Sequence, residues 1–185
     1  REDFNSWFTC DGLVPLRFTR DTYEGKYVAK NDYSYIWNAS EPYIDASIFT
    51  SSQGDMVRKL PLKPCTFDLP ALFFYARNID MARVKPNVKY PMTFAIDDDI
   101  YDVYFIYKGK CTVDVKGLGK VKCLKFAAKL LEGAIFKGDN DLDIYISDDL
   151  NRLPVLFGAA IRVGDVEGRM VSCSGLKYPF SALMD

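Results

Sequence analysis

The sequence predicts a mainly β fold: an antiparallel half-barrel or barrel with one packed amphipathic helix. Across residues 92–175, short runs alternate apolar and polar residues, which indicates strands because strand side chains point to opposite faces in turn. Acidic or glycine-containing turns separate these runs, as they do in consecutive antiparallel strands. One stretch, 68–81, instead has the three- and four-residue spacing of an amphipathic helix.

Three strand-like runs occupy the first third of the chain. Apolar and aromatic residues alternate with polar ones at 13–20, 26–37 and, more weakly, 43–50. Gly25 and Pro42 lie in the turns between them, so a meander is expected. A short edge strand is expected near 56–60, because Gly54 and Pro61 interrupt the pattern on either side.

The predicted helix begins at Asp68, a residue type that caps helices, and Pro70 is tolerated in its first turn. Its apolar stripe consists of Leu69, Leu72, Phe73, Ala76 and Ile79. A helix with one apolar face must bury that face, so we expect it to pack on the sheet.

Strands resume after the helix in three predicted hairpins and a closing run. The paired segments are 90–96 with 100–107, 110–116 with 120–126, and 142–147 with 153–157, followed by 161–173. No repeat, low-complexity segment or linker interrupts the pattern, which indicates a single β-rich domain over residues 1–185.

Composition excludes several classes of function. Lys and Arg number 24 against 25 for Asp and Glu, so no positive excess is present to neutralise nucleic acid. The chain has no histidine, which removes Ser-His-Asp and Cys-His hydrolases and histidine-bound zinc. It also has no phosphate-binding glycine loop, no Cys-x-x-Cys pair and no apolar run long enough to cross a bilayer. We therefore expect no cofactor, no metal, no nucleic acid partner and no transmembrane segment, and we favour a protein that is not an enzyme.

Cys111 and Cys123 fall on the two strands of the second predicted hairpin. Alternation places Cys111 with Val113, and Cys123 with Val121, on one buried side of that hairpin. A turn at 116–118 would place the two cysteines directly opposite each other, whereas a shifted register would make them diagonal. They are either two buried small apolar residues or a disulfide pair, and we favour the first.

Two acidic clusters are candidates for calcium binding. Asp139, Asp141 and Asp143 alternate as in the first half of a calcium loop, but the required glycine and the distal glutamate are missing. Polar turns are the favoured interpretation for these residues and for the acidic loop 97–99.

The strand predicted at 100–107 is apolar on both faces. One face carries Tyr101, Val103, Phe105 and Tyr107, and the other carries Ile100, Tyr104 and Ile106. One face is expected to lie under the helix, and the second is core, the wall of an apolar cavity, or a partner surface. If a ligand is held there, the candidate lining residues are Tyr101, Phe105, Phe126 and Leu130.

Ordered blocks of sequence give the chain a family resemblance. They are 20–25 (Arg-Asp-Thr-Tyr-Glu-Gly), 64–68 (Pro-Cys-Thr-Phe-Asp) with 75–77 (Tyr-Ala-Arg), 119–123 (Gly-Lys-Val-Lys-Cys), 132–136 (Glu-Gly-Ala-Ile-Phe), 148–154 (Asp-Asp-Leu-Asn-Arg-Leu-Pro) and 164–168 (Gly-Asp-Val-Glu-Gly). Together, and in this order, they make the chain resemble domain-of-unknown-function family 3108 over almost its whole length.

The resemblance implies an exported, periplasmic or envelope-associated bacterial protein whose signal peptide is removed, and it carries over no activity and no catalytic residue. Members usually begin with further strands, so it also implies that this chain lacks N-terminal strands and has an unpaired sheet edge. That edge would be filled by the missing segment or by another chain through strand addition. The last third is similar, more loosely, to periplasmic lipoprotein carriers and related half-barrels that hold acyl chains.

Three functions are compatible with these observations. The leading expectation is a non-enzymatic cell-envelope protein that binds an apolar or lipid-like ligand or an envelope partner. The alternatives are a hydrolase of envelope glycans that uses two carboxylates, and a structural or assembly module that acts through an open sheet edge.

Overall fold

The structure, a computed structural model, describes residues 1–129, 142–160 and 165–184, and within them the chain is mainly β with one helix. The elements before residue 80 are β1 (Glu2–Phe8), β2 (Pro15–Glu24), β3 (Tyr27–Ile36), β4 (Tyr43–Thr50), β5 (Gly54–Pro61), β6 (Thr66–Phe67) and α1 (Leu69–Arg77). The later elements are β7 (Lys89–Ile96), β8 (Asp99–Val115), β9 (Gly119–Lys129), β10 (Leu142–Ser147), β11 (Pro154–Ala160) and β12 (Asp165–Arg169).

The strands form two sheets, which confirms the predicted fold class. A five-stranded antiparallel sheet has the order β1-β2-β3-β4-β5, and a seven-stranded sheet, β12-β11-β10-β9-β8-β7-β6, curls into a half-barrel. One pair departs from the antiparallel expectation, because β6 runs parallel to β7, with Thr66 opposite Thr93. The chain passes through α1 between these two strands, and a crossover of this kind is what parallel neighbours require.

The chain divides into two compact units, which we describe separately. The first unit comprises Arg1–Tyr75 and Met92–Asp102, and the second comprises Ala76–Pro91 and Val103–Asp185. The prediction of a single domain rests on the sequence pattern alone and stays a prediction.

The core of the first unit lies on one face of the five-stranded sheet, which we call its inner face. Phe18, Tyr33 and Ala46 are opposite one another across β2, β3 and β4, so their side chains share this face. The rings of Phe18 and Tyr33 lie 5.3 Å apart and both are fully buried. Side chains at the alternate positions of the same strands form the outer face.

The first strand was not predicted from the sequence. β1 pairs with β2 from Glu2 opposite Thr22 onwards, and Phe4 packs against the core of the first unit. Its alternation is hard to read because Asp3, Asn5 and Ser6 make most of the strand polar.

The helix is capped as predicted but ends earlier. The Asp68 carboxylate accepts a hydrogen bond from the Ala71 amide at 2.9 Å, which satisfies a donor in the first turn. The predicted helix of 68–81 is wrong at its end, because α1 stops at Arg77. Asp80 accepts a hydrogen bond from the Ala82 amide at 3.0 Å, a side-chain turn that competes with continued helix.

The strands predicted at 100–107 and 110–116 are one continuous strand, β8. Tyr107 lies opposite Phe126 and Gly109 lies opposite Lys125, so Lys108 is an extra residue that forms a bulge. The polar break in the pattern around Lys108 therefore marks a bulge inside a strand and not a turn between two strands.

The second unit has its own core on one face of the curled sheet. Its fully or nearly fully buried members are Val115, Val121, Cys123, Leu153, Val155 and Ala182. The C-terminal segment contributes to this core because Leu183 bridges to Val121 and the Lys122 amide donates to the Ala182 carbonyl at 2.8 Å.

Candidate functional site

An apolar row crosses four strands of the second unit. Tyr107 lies opposite Phe126, Phe126 lies opposite Ile144, and Ile144 lies opposite Phe157. Residues that are directly opposite across neighbouring strands point to the same face of a sheet. We call these four residues the apolar row, and they belong to β8, β9, β10 and β11.

Ring contacts hold one end of the apolar row together. The ring centroids of Tyr107 and Phe126 lie 5.3 Å apart, and Phe105 lies edge-on to Phe126 at 6.0 Å. Tyr90 stacks on Phe105 at 5.1 Å. Such aromatic contacts add stabilisation beyond that of area burial.

Burial changes along the apolar row. Phe126 is 4% and Tyr107 is 8% exposed, whereas Ile144 and Phe157 are half-buried. The row is thus buried at β8 and β9 and partly exposed at β10 and β11.

A glycine makes room for the outermost ring of the row. Phe157 lies opposite Gly168 of β12, and a Cβ atom at Gly168 would come within 2.1 Å of the Phe157 ring. Any side chain at this position would have to displace the ring. The conformation of Phe157 therefore depends on Gly168, which lies in the sequence block 164–168.

The structure brings two of the four predicted lining residues together. Phe105 and Phe126 are in contact, whereas Tyr101 lies in the first unit and Leu130 lies outside the described residues. Tyr101 is half-buried, and burial, followed by the Asp99 charge, raises its pKa. Whether these residues hold a ligand stays a prediction.

Sequence reasoning missed Tyr90 as a member of this site. Tyr90 lies near the start of β7, before the buried residues of that strand. Its hydroxyl accepts a hydrogen bond from the backbone N–H of Lys85 at 2.8 Å. Strand register decides which ring an aromatic residue will contact on a neighbouring strand. The residues next to Tyr90 in the sequence therefore do not indicate that it stacks on Phe105.

Cys111 and Cys123 occupy the opposite face of the curled sheet. They lie directly opposite each other, as a turn at 116–118 predicts, and both thiols are free. Burial, followed by the proximity of Cys111, raises the pKa of Cys123 to about 12. A thiol with such a pKa is a poor nucleophile near neutral pH. The favoured interpretation of two buried small apolar residues and the alternative of a disulfide pair both stay predictions.

A polar clasp, made of Ser147, Asp149 and Asn151, accounts for much of the block 148–154. One oxygen of the Asp149 carboxylate accepts hydrogen bonds from the Ser147 hydroxyl at 2.9 Å and from the backbone N–H of Asn151 at 3.0 Å. Its other oxygen accepts one from the Ala182 amide at 3.3 Å. The Asn151 side chain donates to the carbonyls of Tyr178 and Pro179 at 3.0 and 3.1 Å. The polar clasp therefore fixes the C-terminal segment, and its carboxylate is fully engaged.

Asp68 is a second buried carboxylate, in the first unit. Besides capping α1, it accepts hydrogen bonds from the Ser6 hydroxyl at 2.9 Å and the Tyr35 hydroxyl at 3.4 Å. Burial raises the pKa of Asp68, and burial together with the Asp68 charge raises the pKa of Tyr35. The arrangement ties β1, β3 and α1 together within this unit.

An open groove of about 400 Å³ lies against the five-stranded sheet. Two rows of cross-strand partners line it on the outer face. The first row is Asp21, Lys30, Phe49 and Asp55, and the second is Thr19, Asp32, Ser47 and Val57. Arg17 donates two hydrogen bonds to the Asp32 carboxylate, at 3.0 and 2.7 Å, so this carboxylate is engaged. Lys30 and three aspartates lie among its apolar side chains, and an acyl chain in the groove would have to desolvate these charges.

The acidic clusters make no metal site among the residues described. No group of three or more His, Cys, Asp or Glu side chains in these parts of the chain is placed to hold a metal. Asp143 forms an ion pair with Lys125 at 2.8 Å, and Asp97 pairs with Arg20 at 3.0 Å. Asp139 and Asp141 lie outside the described residues.

The fold and the site define the class of protein: a mainly β chain whose curled sheet presents a partly open apolar row. The sequence profile of the family described as Protein of unknown function (DUF3108) matches residues 1–171, so the chain belongs to this family, as the ordered blocks indicated. Searches of curated proteins and of solved structures found no match. None of the described helices is long and apolar enough to span a membrane.

Proposed function

We propose that this protein is a non-enzymatic component of the bacterial cell envelope, exported to the periplasm, and that it binds an apolar, lipid-like ligand along the apolar row. The observation that carries the proposal is the burial gradient of the row, from Phe126 at 4% exposed to the half-buried Ile144 and Phe157. Apolar side chains left partly open on a curved sheet are the kind of surface that small apolar ligands cover.

The chemistry of the buried polar groups supports a binding role over a catalytic one. Asp149 and Asp68 are the buried carboxylates among the residues described, and both are engaged by backbone amides and hydroxyl groups. A glycan hydrolase would need two carboxylates converging on one substrate. Three carboxylates line the groove, but Asp32 is held by Arg17 and Asp21 lies opposite Lys30 on the neighbouring strand.

A titration with a fluorescent fatty-acid analogue, dansyl-undecanoic acid, tests the proposal. We expect saturable binding that weakens about tenfold or more in Ile144→Ser and Phe157→Ser, because each removes apolar contact from the open part of the row. Val171→Ser is the matched control, since Val171 is 74% exposed and lies outside the row.

Thermal unfolding of each variant separates loss of binding from loss of fold. Equal binding by wild type, Ile144→Ser and Phe157→Ser, or no saturable binding by the wild type, would contradict a ligand site on the apolar row.

A further inference from the structure

The five-stranded sheet has an edge at β5 with regularly spaced, outward-directed backbone groups. Alternate residues of an antiparallel strand direct their N–H and C=O groups to opposite neighbours. The Leu62 amide donates to the Pro42 carbonyl at 2.9 Å, so the even-numbered residues of β5 bond to β4. The residues that direct their backbone groups away from the sheet are Asp55, Val57 and Lys59.

Two other contacts agree with this assignment. The Ser51 amide donates to the Val28 carbonyl at 2.8 Å, which turns Ser51 toward β3 and leaves the even-numbered residues of β4 to bond to β5. The Val57 carbonyl accepts a hydrogen bond from the Arg58 guanidinium at 3.3 Å, and this carbonyl therefore points away from β4.

We propose that β5 pairs antiparallel with β5 of a second copy of this chain, across a two-fold axis at Val57. In this register Val57 lies opposite Val57 of the second copy. Asp55 lies opposite Lys59 of the second copy, and the reverse pair forms on the other side of the axis. The outward N–H and C=O groups of all three residues are then satisfied, as an isologous contact requires.

The side chains complement one another in the same register. Asp55, Val57 and Lys59 all lie on the outer face, because the alternate residues Met56 and Leu60 pack toward the core. Opposite charges directly across an antiparallel pair are stabilising. Val57 is 67% exposed in the single chain and would be covered by its counterpart. On pairing, the Val57 carbonyl would exchange its hydrogen bond from the Arg58 guanidinium for one from a backbone N–H of the second copy.

Other registers and the other edge fit less well. Shifting the β5 pair by two residues loses both charge pairs. If the shift places Asp55 opposite Pro61, the partner residue also has no N–H to donate. At the β1 edge, Glu2 already pairs with Arg20 at 3.0 Å, and self-pairing of β1 would bring no cation opposite it.

Charge reversal and mixing test the proposed contact. Asp55→Lys and Lys59→Asp each create two like-charge pairs in the self-complex, so each should weaken self-association about tenfold or more. An equimolar mixture of the two variants restores both opposite-charge pairs and should form a mixed dimer, as should the double variant with itself. Sedimentation equilibrium over about 10 μM to 1 mM, a range suited to a weak short-strand contact, measures these masses.

Glu24→Lys and Lys26→Asp are the matched controls, because they make the same charge changes at exposed positions away from β5. Val57→Pro removes an outward N–H that the single chain does not use and should also abolish the dimer, with circular dichroism to confirm folding. A wild-type protein that stays monomeric would overturn the proposal. So would a dimer that survives both single charge reversals, or a mixture of the two variants that stays monomeric. These outcomes are independent of probe binding to the apolar row.

Discussion

At the scale of single residues, the buried polar side chains hold chain segments in place. Asp149 and Asn151 bind the backbone near Ala182, and Asp68 binds Ser6, Tyr35 and the first turn of α1. Each oxygen of the Asp149 and Asp68 carboxylates accepts a hydrogen bond, which is how a protein interior accommodates a carboxylate. We therefore expect these residues to act on stability.

Asp149→Ala should lower the free energy of unfolding by about 3 kcal/mol, because it leaves buried backbone amides and the Ser147 hydroxyl without an acceptor. Asp148→Ala is the neighbouring control. Asp148 pairs with the exposed Lys110 at 2.7 Å, so its loss should cost less than about 1 kcal/mol. Urea unfolding measures both, and equal effects would refute the assigned role of Asp149.

Asp68 should make stability depend on pH. Its pKa in the folded protein is raised above the ordinary value of 3.8, mainly by burial, so the folded state binds this proton more tightly than the unfolded chain. The resulting stability is fully present below about pH 4 and is lost as pH rises through the folded pKa. Asp68→Asn cannot ionise and should not lose this contribution.

Urea unfolding at several pH values tests this difference. The stability of Asp68→Asn relative to wild type should rise as pH increases from about 4 to 7. Asp114→Asn, at an exposed position of β8, serves as the control and should show no such trend. A pH-independent difference for Asp68→Asn would mean that burial does not disfavour the charged carboxylate.

At the scale of elements, the C-terminal segment behaves as an added strand of the second unit. The Lys122 amide donates to the Ala182 carbonyl and the Met184 amide donates to the Lys120 carbonyl, both at 2.8 Å. Ala182 is fully buried while its neighbour Ser181 is exposed. The segment therefore docks through its backbone and the buried Ala182 side chain, with Leu176 and Phe180 packed against the same core.

Ala182→Glu should lower the free energy of unfolding by about 3 kcal/mol or more, because it forces a charge and extra volume into a packed core. Ser181→Glu makes the same change at the exposed neighbouring position and should be nearly neutral. Hydrogen exchange at the Lys122 amide reports on docking directly, and should become faster in Ala182→Glu alone. Similar exchange in both variants would contradict the docked arrangement.

Sequence reasoning succeeded where one local pattern decides the structure. Alternation located β4 and β10 at their observed bounds, although it is weaker in β4, and a capping residue located the start of α1 at Asp68. It failed at a bulge that a distant strand decides and at a helix end that a local side-chain turn decides. The bulge at Lys108 is fixed by register against β9, and the helix end is fixed by the competing turn at Asp80.

The candidate site, too, was only partly predictable from the sequence. Alternation on β8 identified the face that carries Phe105 and Tyr107, but the alignment of Phe126, Ile144 and Phe157 depends on pairing between strands far apart in sequence. Gly168 appeared only as one member of a family-like block, although it makes room for the Phe157 ring.

At the scale of the whole molecule, we propose that this DUF3108 protein belongs to the cell envelope and holds a lipid-like molecule on the apolar row. The two apolar faces of the curled sheet make this possible. One face is filled by the core around Val121 and Cys123, with Ala182 of the C-terminal segment, and the other carries the partly open row. A sheet with one filled face and one partly open face is suited to binding at the second.

Native mass spectrometry of the protein, gently purified from the envelope fraction of its host, is the most direct test. We predict that the protein occurs in that fraction and carries an excess mass in the range of a lipid, which disappears on denaturation and is reduced in Ile144→Ser and Phe157→Ser. A cytoplasmic protein with the mass of the bare chain, and no bound lipid after incubation with envelope lipids, would contradict the claim.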